Sequence, residues 1–347
     1  MDAFVSSLLM EIKLQQNYLN TPIETLYFGG GTPSLLSEQQ LDLIINAIHN
    51  NFSVAPNVEF TLEANPDDIS LAQTKRWKSI GINRLSIGIQ SFQPSALSWM
   101  NRAHSTQQSH EAIQHAITAG ITNISTDLIY GTPHLSDQDL LSDIAILNDY
   151  NINHISCYAL TVEEKTALHS LIEKNKIENV DPEKQARHFE MVVNALESFG
   201  FEHYEISNFA KSGFKSKHNS NYWKGIPYLG LGPSAHSYNR NSRQWNIANN
   251  SLYINSIEAG KVPFEIEALE TATQYNEYMM ISLRLLEGVN VNEIKTRFGD
   301  VYLEHTYTQL APLLAAGKIQ KKDGGFAISK HARFLADGIA SEFFIVD

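Results

Sequence analysis

The sequence contains one cysteine, Cys157, in 347 residues. A lone thiol excludes an internal disulfide and any zinc or iron–sulfur site that would need several thiolates from this chain. Basic residues are also scarce: 26 Lys and Arg stand against 38 Asp and Glu, a net charge of −12. That balance repels a phosphate backbone, so no nucleic-acid partner is expected. No apolar run reaches the ~18 residues of a membrane-spanning helix, so no stable membrane span is expected. The opening segment has no secretory pattern; Phe4, Leu8, Leu9, Ile12 and Leu19 fall at helical spacing around Glu11 and Lys13. A folded, soluble, cytoplasmic protein is the simplest expectation.

Hydrophobic residues make up 43% and charged residues 18%, the usage of an ordinary globular chain with room for one large α/β domain and a smaller one. Apolar or β-branched runs at 25–28, 58–64, 84–89, 124–130, 154–160 and 203–207 alternate with amphipathic segments at 38–49, 70–80, 107–119, 137–149 and 182–199. The alternation predicts βαβ units, each run a candidate parallel strand. Candidate strand ends at Phe28, Glu63, Gln90, Asp127 and Tyr158 lie 35, 27, 37 and 31 residues apart, the period of a barrel or of an open parallel sheet. A parallel barrel normally opens with a strand, yet this chain opens inside a helix. Spacing alone leaves both architectures open: a barrel short of its first strand, or an open sheet covered by a helix.

Three regions are expected: 1–210 as the barrel part, 211–262 as a loop-rich connection, and 263–347 as a helical module. In the last, helices at about 271–287, 290–298 and 301–316 precede a hairpin turned by Asp323-Gly324-Gly325. Three helices and a hairpin suggest a winged-helix-like module. Its 8 Lys and Arg against 12 Asp and Glu argue for packing or a protein partner rather than DNA.

Chemistry concentrates in a few places. Gly29-Gly30-Gly31-Thr32-Pro33 directly follows an apolar strand. A backbone without Cβ atoms can approach a ligand closely, or simply turn tightly, and Ser37 with Gln40 forms a capping-box pattern for the next helix. Glu63, Gln90 and Asp127 each stand just after an apolar run, where a buried parallel strand should stay apolar. In parallel α/β folds those ends face the active site, so the three point to one pocket. Glu63 suits an ammonium, Asp127 a ribose diol, and Arg102 either a ligand carboxylate or solvent. His218-Asn219-Ser220-Asn221-Tyr222-Trp223 offers an imidazole with flat aromatics four and five residues on, a set that can hold haem iron and a porphyrin face. His203 and His236 are weaker candidates. Cys157, inside an apolar strand, reads as a small buried hydrophobe. Gly230-Leu231-Gly232-Pro233 is rejected as a dinucleotide site, because no amphipathic helix follows it.

Taken together, YFGGGTPS, LEANP, SIGIQSF, NRAH and STDLIYGTP resemble the radical S-adenosylmethionine enzymes related to oxygen-independent coproporphyrinogen oxidase, along the whole chain. The H-N-x-x-Y-W pattern is similar to the haem-binding motif of the HemW subgroup, regarded as haem chaperones rather than oxidases. The resemblance implies a partial (β/α)6 barrel. It implies that Gly30, Gly31, Thr32, Glu63, Gln90, Arg102 and Asp127 contact S-adenosylmethionine, and that His218, Tyr222 and Trp223 bind haem with His218 on the iron. It also implies a [4Fe–4S] cluster on three closely spaced cysteines after the first barrel strand. Those cysteines are absent here, so the cluster is expected only in a longer form. Retention of the S-adenosylmethionine positions, and the solubility liability of an unpaired barrel edge, favour a truncated sequence over a natural loss. The implied function is haem binding and transfer to an acceptor protein, with no catalytic residue assigned. The alternatives are decarboxylation of coproporphyrinogen III, and a cluster-free barrel holding a nucleotide or phosphorylated small molecule.

Overall fold

The structure is a computed structural model that describes residues 1–346; Asp347, the last residue of the expected C-terminal module, lies outside them. A first helix, α1 (Asp2–Leu14), leads into β1 (Ile23–Phe28), α2 (Glu38–Asn51), β2 (Val54–Ala64), α3 (Leu71–Ser79) and β3 (Arg84–Gln90). Next come α4 (Pro94–Trp99), α5 (Thr106–Thr118), β4 (Asn123–Tyr130), α6 (Asp137–Asp149), β5 (His154–Ala159), α7 (Ala167–Glu173) and α8 (Pro182–Ser198). Two short strands, β6 (Glu202–Glu205) and β7 (Asn208–Ala210), complete a seven-stranded sheet of order β1-β2-β3-β4-β5-β7-β6. Adjacent strands from β1 to β5 pair in parallel.

The helices begin where side chains can satisfy free backbone N–H groups. Ser37, Ser105 and Ser136 each accept from the third helical N–H, while Gln40, Gln108 and Asp139 reach back to the cap. Side chains on β2 to β5 alternate between a mostly apolar and a mostly polar face, with Thr126 a polar exception on the apolar side. On β3, Leu85, Ile87 and Ile89 are fully buried and join the helix-facing core, with Leu62, Ile124 and Ile155 beside them. Each such side chain contributes ~1.5–3 kcal/mol on burial, which makes this layer the main source of stability. Cys157 is buried in it, as expected from its strand.

The sixth run departs from expectation. β6 points the same way as β5 but does not pair with it: β7 is inserted between them, antiparallel to both. Only Ile206 and Ser207 separate β6 from β7, too few for a parallel crossover.

The segment read as loop-rich carries regular elements: α9 (Lys217–Trp223), β8 (His236–Tyr238), β9 (Ser242–Asn246) and α10 (Asn250–Glu258). With β10 (Phe264–Ala268), β8 and β9 form a three-stranded antiparallel sheet. The turn between Gly230 and Ala235 is held to α1 by the buried Glu11, which accepts from Gly232 N (2.7 Å), Asn246 Nδ2 (2.6 Å) and Tyr253 Oη (2.6 Å). Burial pushes the Glu11 pKa up, and these three donors oppose the shift.

The chain ends with α11 (Thr271–Arg284), β11 (Val289–Asn290), α12 (Val291–Phe298), α13 (Asp300–Ala315), β12 (Ile319–Lys322), β13 (Gly325–Ile328) and α14 (Ala336–Ser341). These elements have their own core around Tyr275, Met279, Leu283, Ile294 and Phe326. Among the described residues, no helix is long and apolar enough to cross a membrane.

Candidate functional site

The face of the seven-stranded sheet turned away from the helices is polar, layer by layer. Tyr27 on β1 stands opposite Thr61 on β2, Thr61 opposite Arg84 on β3, and Arg84 opposite Asn123 on β4. One step on, Glu63, Ser86, Ser125 and His154 line up; above them Asp127 faces Ser156, which faces Asn208. Arg84 is only 2% exposed, forms no salt bridge among the described residues, and leaves its Nε without a partner. Beside it, His154 joins Ser125 Oγ through Nδ1 (2.7 Å) and Tyr204 Oη through Nε2 (2.7 Å). Burial, and then the Arg84 charge, hold His154 well below the usual imidazole range.

At the carboxyl ends of β1 to β4 this face opens into a mouth. Tyr27 Oη donates to Glu63 Oε1 at 2.5 Å, and Gly30 N donates to Glu63 Oε2 at 3.0 Å. Gly30 and Gly31 have φ of 72° and 61°, and Cβ atoms added there would meet nothing within 4 Å. The run of glycines therefore supplies a left-handed turn with open space above it, room for a ligand to approach the backbone. Thr32 ends that turn and precedes a short 3-10 segment, Pro33–Leu35. Gln90 closes β3 in the left-handed region at φ 65°, after an irregular register with β4. Non-glycine residues rarely hold this conformation, and those that do concentrate at ligand sites. A Cβ at Gly88 would lie 2.8 Å from Gln90 Nε2 and 3.4 Å from Arg102 Nη2, so both side chains fold over this point. Arg102 Nη2 also donates to Asn65 Oδ1 at 3.0 Å.

Asp127 sits below, partly exposed, its pKa pushed up to about 7 by burial and then by the Glu63 charge, with Arg84 opposing. Glu63, Gln90, Arg102, Asp127 and the glycine turn thus share one mouth. An ammonium, a carboxylate and a diol each find a complementary group there, so the residues present fit S-adenosylmethionine. They do not fit an iron–sulfur cluster. The only thiol, Cys157, is buried in β5, where burial and then Asp127 push its pKa up.

The second region is built on α9. Glu59 on β2 accepts from the backbone N–H groups of Lys217 (Oε2, 3.0 Å) and His218 (Oε1, 2.9 Å), while Ser216 caps Asn219 N. The carboxylate meets two of the free N–H groups that open the helix. His218 turns toward β1: its Nδ1 lies 3.0 Å from Thr25 Oγ1, and its ring stacks on Tyr27 at 4.5 Å and 16°. Burial, and then Arg84, lower its pKa to about 4, so the ring is neutral at physiological pH.

One turn on, Tyr222 and Trp223 face the other way, into a cavity of about 470 Å³. Tyr158, Tyr228 and Tyr238 complete an aromatic lining, with Arg243, Glu277, Arg284 and Glu205 at the edges. This volume suits a small-molecule or cofactor site. Trp223 Nε1 is buried without a hydrogen-bond partner, a donor that a ligand carboxylate would satisfy. Flat walls, an unspent indole N–H and two guanidinium groups fit a flat macrocycle bearing carboxylates.

His218 does not line this cavity; its ring meets the edge of Tyr222 at 4.9 Å. His203 is committed elsewhere, with Nε2 2.9 Å from Ile206 O and Nδ1 accepting from Arg333 at 2.8 Å. His236 is exposed beside Trp245. Tyr27, Asn65, Arg84 and the capping role of Glu59 were not anticipated. For Arg84 the signal was available: in RLSIGIQ every second residue is polar or glycine, which marks a strand with one non-core face.

Comparison with known proteins follows this geometry. Residues 7–178 match the Radical SAM superfamily, and residues 269–335 match the HemN C-terminal domain. The chain is 32% identical over 339 residues to "Heme chaperone HemW" of Bacillus subtilis, covering 95% of this chain and 89% of that protein. It is 31% identical over 340 residues to "Heme chaperone HemW" of Mycobacterium tuberculosis, covering 97% and 85%. Among solved structures, coproporphyrinogen III oxidase (HemN) from Escherichia coli, a radical SAM enzyme, superposes with a TM-score of 0.84 over 99% of this chain and 82% of that one, at 20% identity. That likeness establishes a HemN-like fold: a radical-SAM half-barrel formed by a curled seven-stranded sheet, with a C-terminal region.

Proposed function

The chain belongs to the HemW family of heme chaperones within the radical SAM superfamily, and from that premise we propose that it binds haem against α9 and passes it to an acceptor protein. The observation that carries the reading is the orientation of the HNxxYW helix, which turns Tyr222 and Trp223 into the 470 Å³ cavity. The aromatic walls would take the porphyrin faces, and Arg243, Arg284 and Trp223 Nε1 its carboxylates. His218 is the iron ligand in this reading. Its Nδ1 is engaged by Thr25, and the neutral imidazole has a lone pair on one of its two nitrogens to offer the iron. In this reading the imidazole leaves Thr25 and Tyr27 when it takes the iron.

Gly30, Gly31, Thr32, Glu63, Gln90, Arg102 and Asp127 would hold S-adenosylmethionine at the mouth of the half-barrel. There Glu63 takes the ammonium, Arg102 the carboxylate and Asp127 the ribose. S-adenosylmethionine bound there would present its sulfonium at the mouth. The described residues supply the pocket and not the thiolates, so they support S-adenosylmethionine as a bound ligand. Residues 1–210 are then the S-adenosylmethionine part, 211–262 the haem wall, and 263–347 a winged-helix-like acidic module that meets the acceptor in the cytoplasm.

Hemin titration followed by absorbance tests the reading. The wild type is expected to bind one equivalent. Trp223→Ala should weaken binding by about tenfold, the loss of ~1.4 kcal/mol of aromatic contact. His218→Ala should change the spectrum of the bound haem. Binding unchanged in Trp223→Ala would remove the cavity as the site, and an unchanged spectrum in His218→Ala would remove the ligand.

A further inference from the structure

One side chain touches both regions. Tyr27 lies on β1 with its hydroxyl at the mouth of the half-barrel and its ring against α9. The hydroxyl donates to Glu63 Oε1 at 2.5 Å, and Gly30 N takes the other oxygen at 3.0 Å. Between them these two donors fix the direction in which the carboxylate points. The packing is close enough to dictate the next residue but one: a Cβ at Gly29 would lie 2.5 Å from Tyr27 Cε1 and 2.9 Å from the Glu63 carboxyl carbon. The first glycine of the run thus serves the Tyr27–Glu63 pair, and only the next two face open space.

The same ring stacks on the His218 imidazole at 4.5 Å and 16°, while Thr25, two residues back on β1, holds His218 Nδ1. His218 in turn meets Tyr222 edge-on, and Tyr222 lines the cavity. From Glu63 to the cavity wall the path is three side chains long, each in direct contact with the next. Burial, and then Glu63, push the Tyr27 pKa far up, so the phenol remains a donor at every physiological pH.

We propose that Tyr27 is a positioning residue shared by the two sites, its hydroxyl aiming Glu63 at S-adenosylmethionine and its ring holding His218, so that occupancy of either site changes the affinity of the other. A ligand ammonium that draws Glu63 toward itself draws the Tyr27 hydroxyl with it, and the ring slides on the imidazole it covers. Conversely, an imidazole that swings toward iron uncovers the Tyr27 face and frees the phenol to move. Thermodynamic linkage requires both effects to be equal in size. The inference rests on the haem reading above.

The test is a binding cycle on the full chain, with hemin followed by absorbance and S-adenosylmethionine by calorimetry, each with and without the other. Tyr27→Phe keeps the ring and removes only the hydroxyl. In the wild type, saturating S-adenosylmethionine is expected to shift hemin affinity about fivefold or more, the lower end of ordinary site–site coupling. In Tyr27→Phe S-adenosylmethionine should bind about tenfold more weakly, and the coupling should fall below about twofold. Restoration of fold and hemin binding in Tyr27→Phe, but not in Tyr27→Leu, would separate the ring's part from the hydroxyl's. Two ligands that bind the wild type independently, or a coupling as large in Tyr27→Phe as in the wild type, would overturn the proposal and leave the haem reading standing. A wild type that binds no hemin would overturn both.

Discussion

The two faces of the same five parallel strands could hardly differ more. Toward the helices, Leu62, Leu85, Ile87, Ile89, Ile124 and Ile155 are almost wholly buried among apolar neighbours. Toward the concave side stand Tyr27, Glu59, Thr61, Glu63, Arg84, Ser125, Asp127 and His154, in register across the sheet. Buried parallel strands usually read as continuous apolar runs, because helices cover both faces. Here helices cover the apolar face, while the polar face is buried partly against α9 and opens at the strand ends. Stability and chemistry are therefore separated by a single step along each strand, and neighbouring substitutions should behave as if they belonged to different proteins.

The largest expected effect lies on the covered face. Ile87→Ala should lower the unfolding free energy by about 2–5 kcal/mol in urea denaturation, while Ser86→Ala next to it changes it by less than about 1.5. Equal losses at the two positions would erase the distinction.

Arg84→Met should move stability the other way, upward by about 1–3 kcal/mol, because it removes a buried cation that forms no salt bridge among the described residues. The same variant should bind S-adenosylmethionine or hemin less well. A loss of stability in Arg84→Met would mean that the concave face also holds the fold together.

A smaller effect concerns pH. Asp127 titrates near pH 7 in the folded protein, above its ordinary value, so the folded state keeps a proton that the unfolded state releases. The stability tied to that proton is complete below about pH 4 and is lost as pH rises through about 7. Melting curves of Asp127→Asn should lack this part of the decline between pH 4 and 7. An identical pH profile in the variant would place the titration on another group.

Much of the barrel was legible because the cues are local. Apolar runs marked β1 to β5, and a cap such as Ser37 with Gln40 marked where α2 begins. Glu63, Gln90 and Asp127 stood out as polar residues at the ends of apolar strands, and the fold gathers them. Other features depend on partners far along the chain. The run at 203–207 looks like any strand, and only the two-residue link to β7 reverses its neighbour. Tyr27 reads as a routine aromatic strand former until Glu63 and His218 are placed on either side of it. The segment after residue 211 hides α9 and β8 because elements of seven and three residues are too short to show a period.

The cap that Glu59 places on α9 has a consequence for the order of assembly. A seven-residue helix is far below the length that holds itself together in water, and its first N–H groups are met by a carboxylate 158 and 159 residues earlier in the chain. Contacts across such a separation carry a loop-closure cost and form late. The half-barrel with its mouth is expected to be in place before α9 is, and φ-values at Glu59 should lie near zero while those in the β3–β4 core are high. A chain leaving the ribosome would then complete one ligand site well before the wall of the other exists.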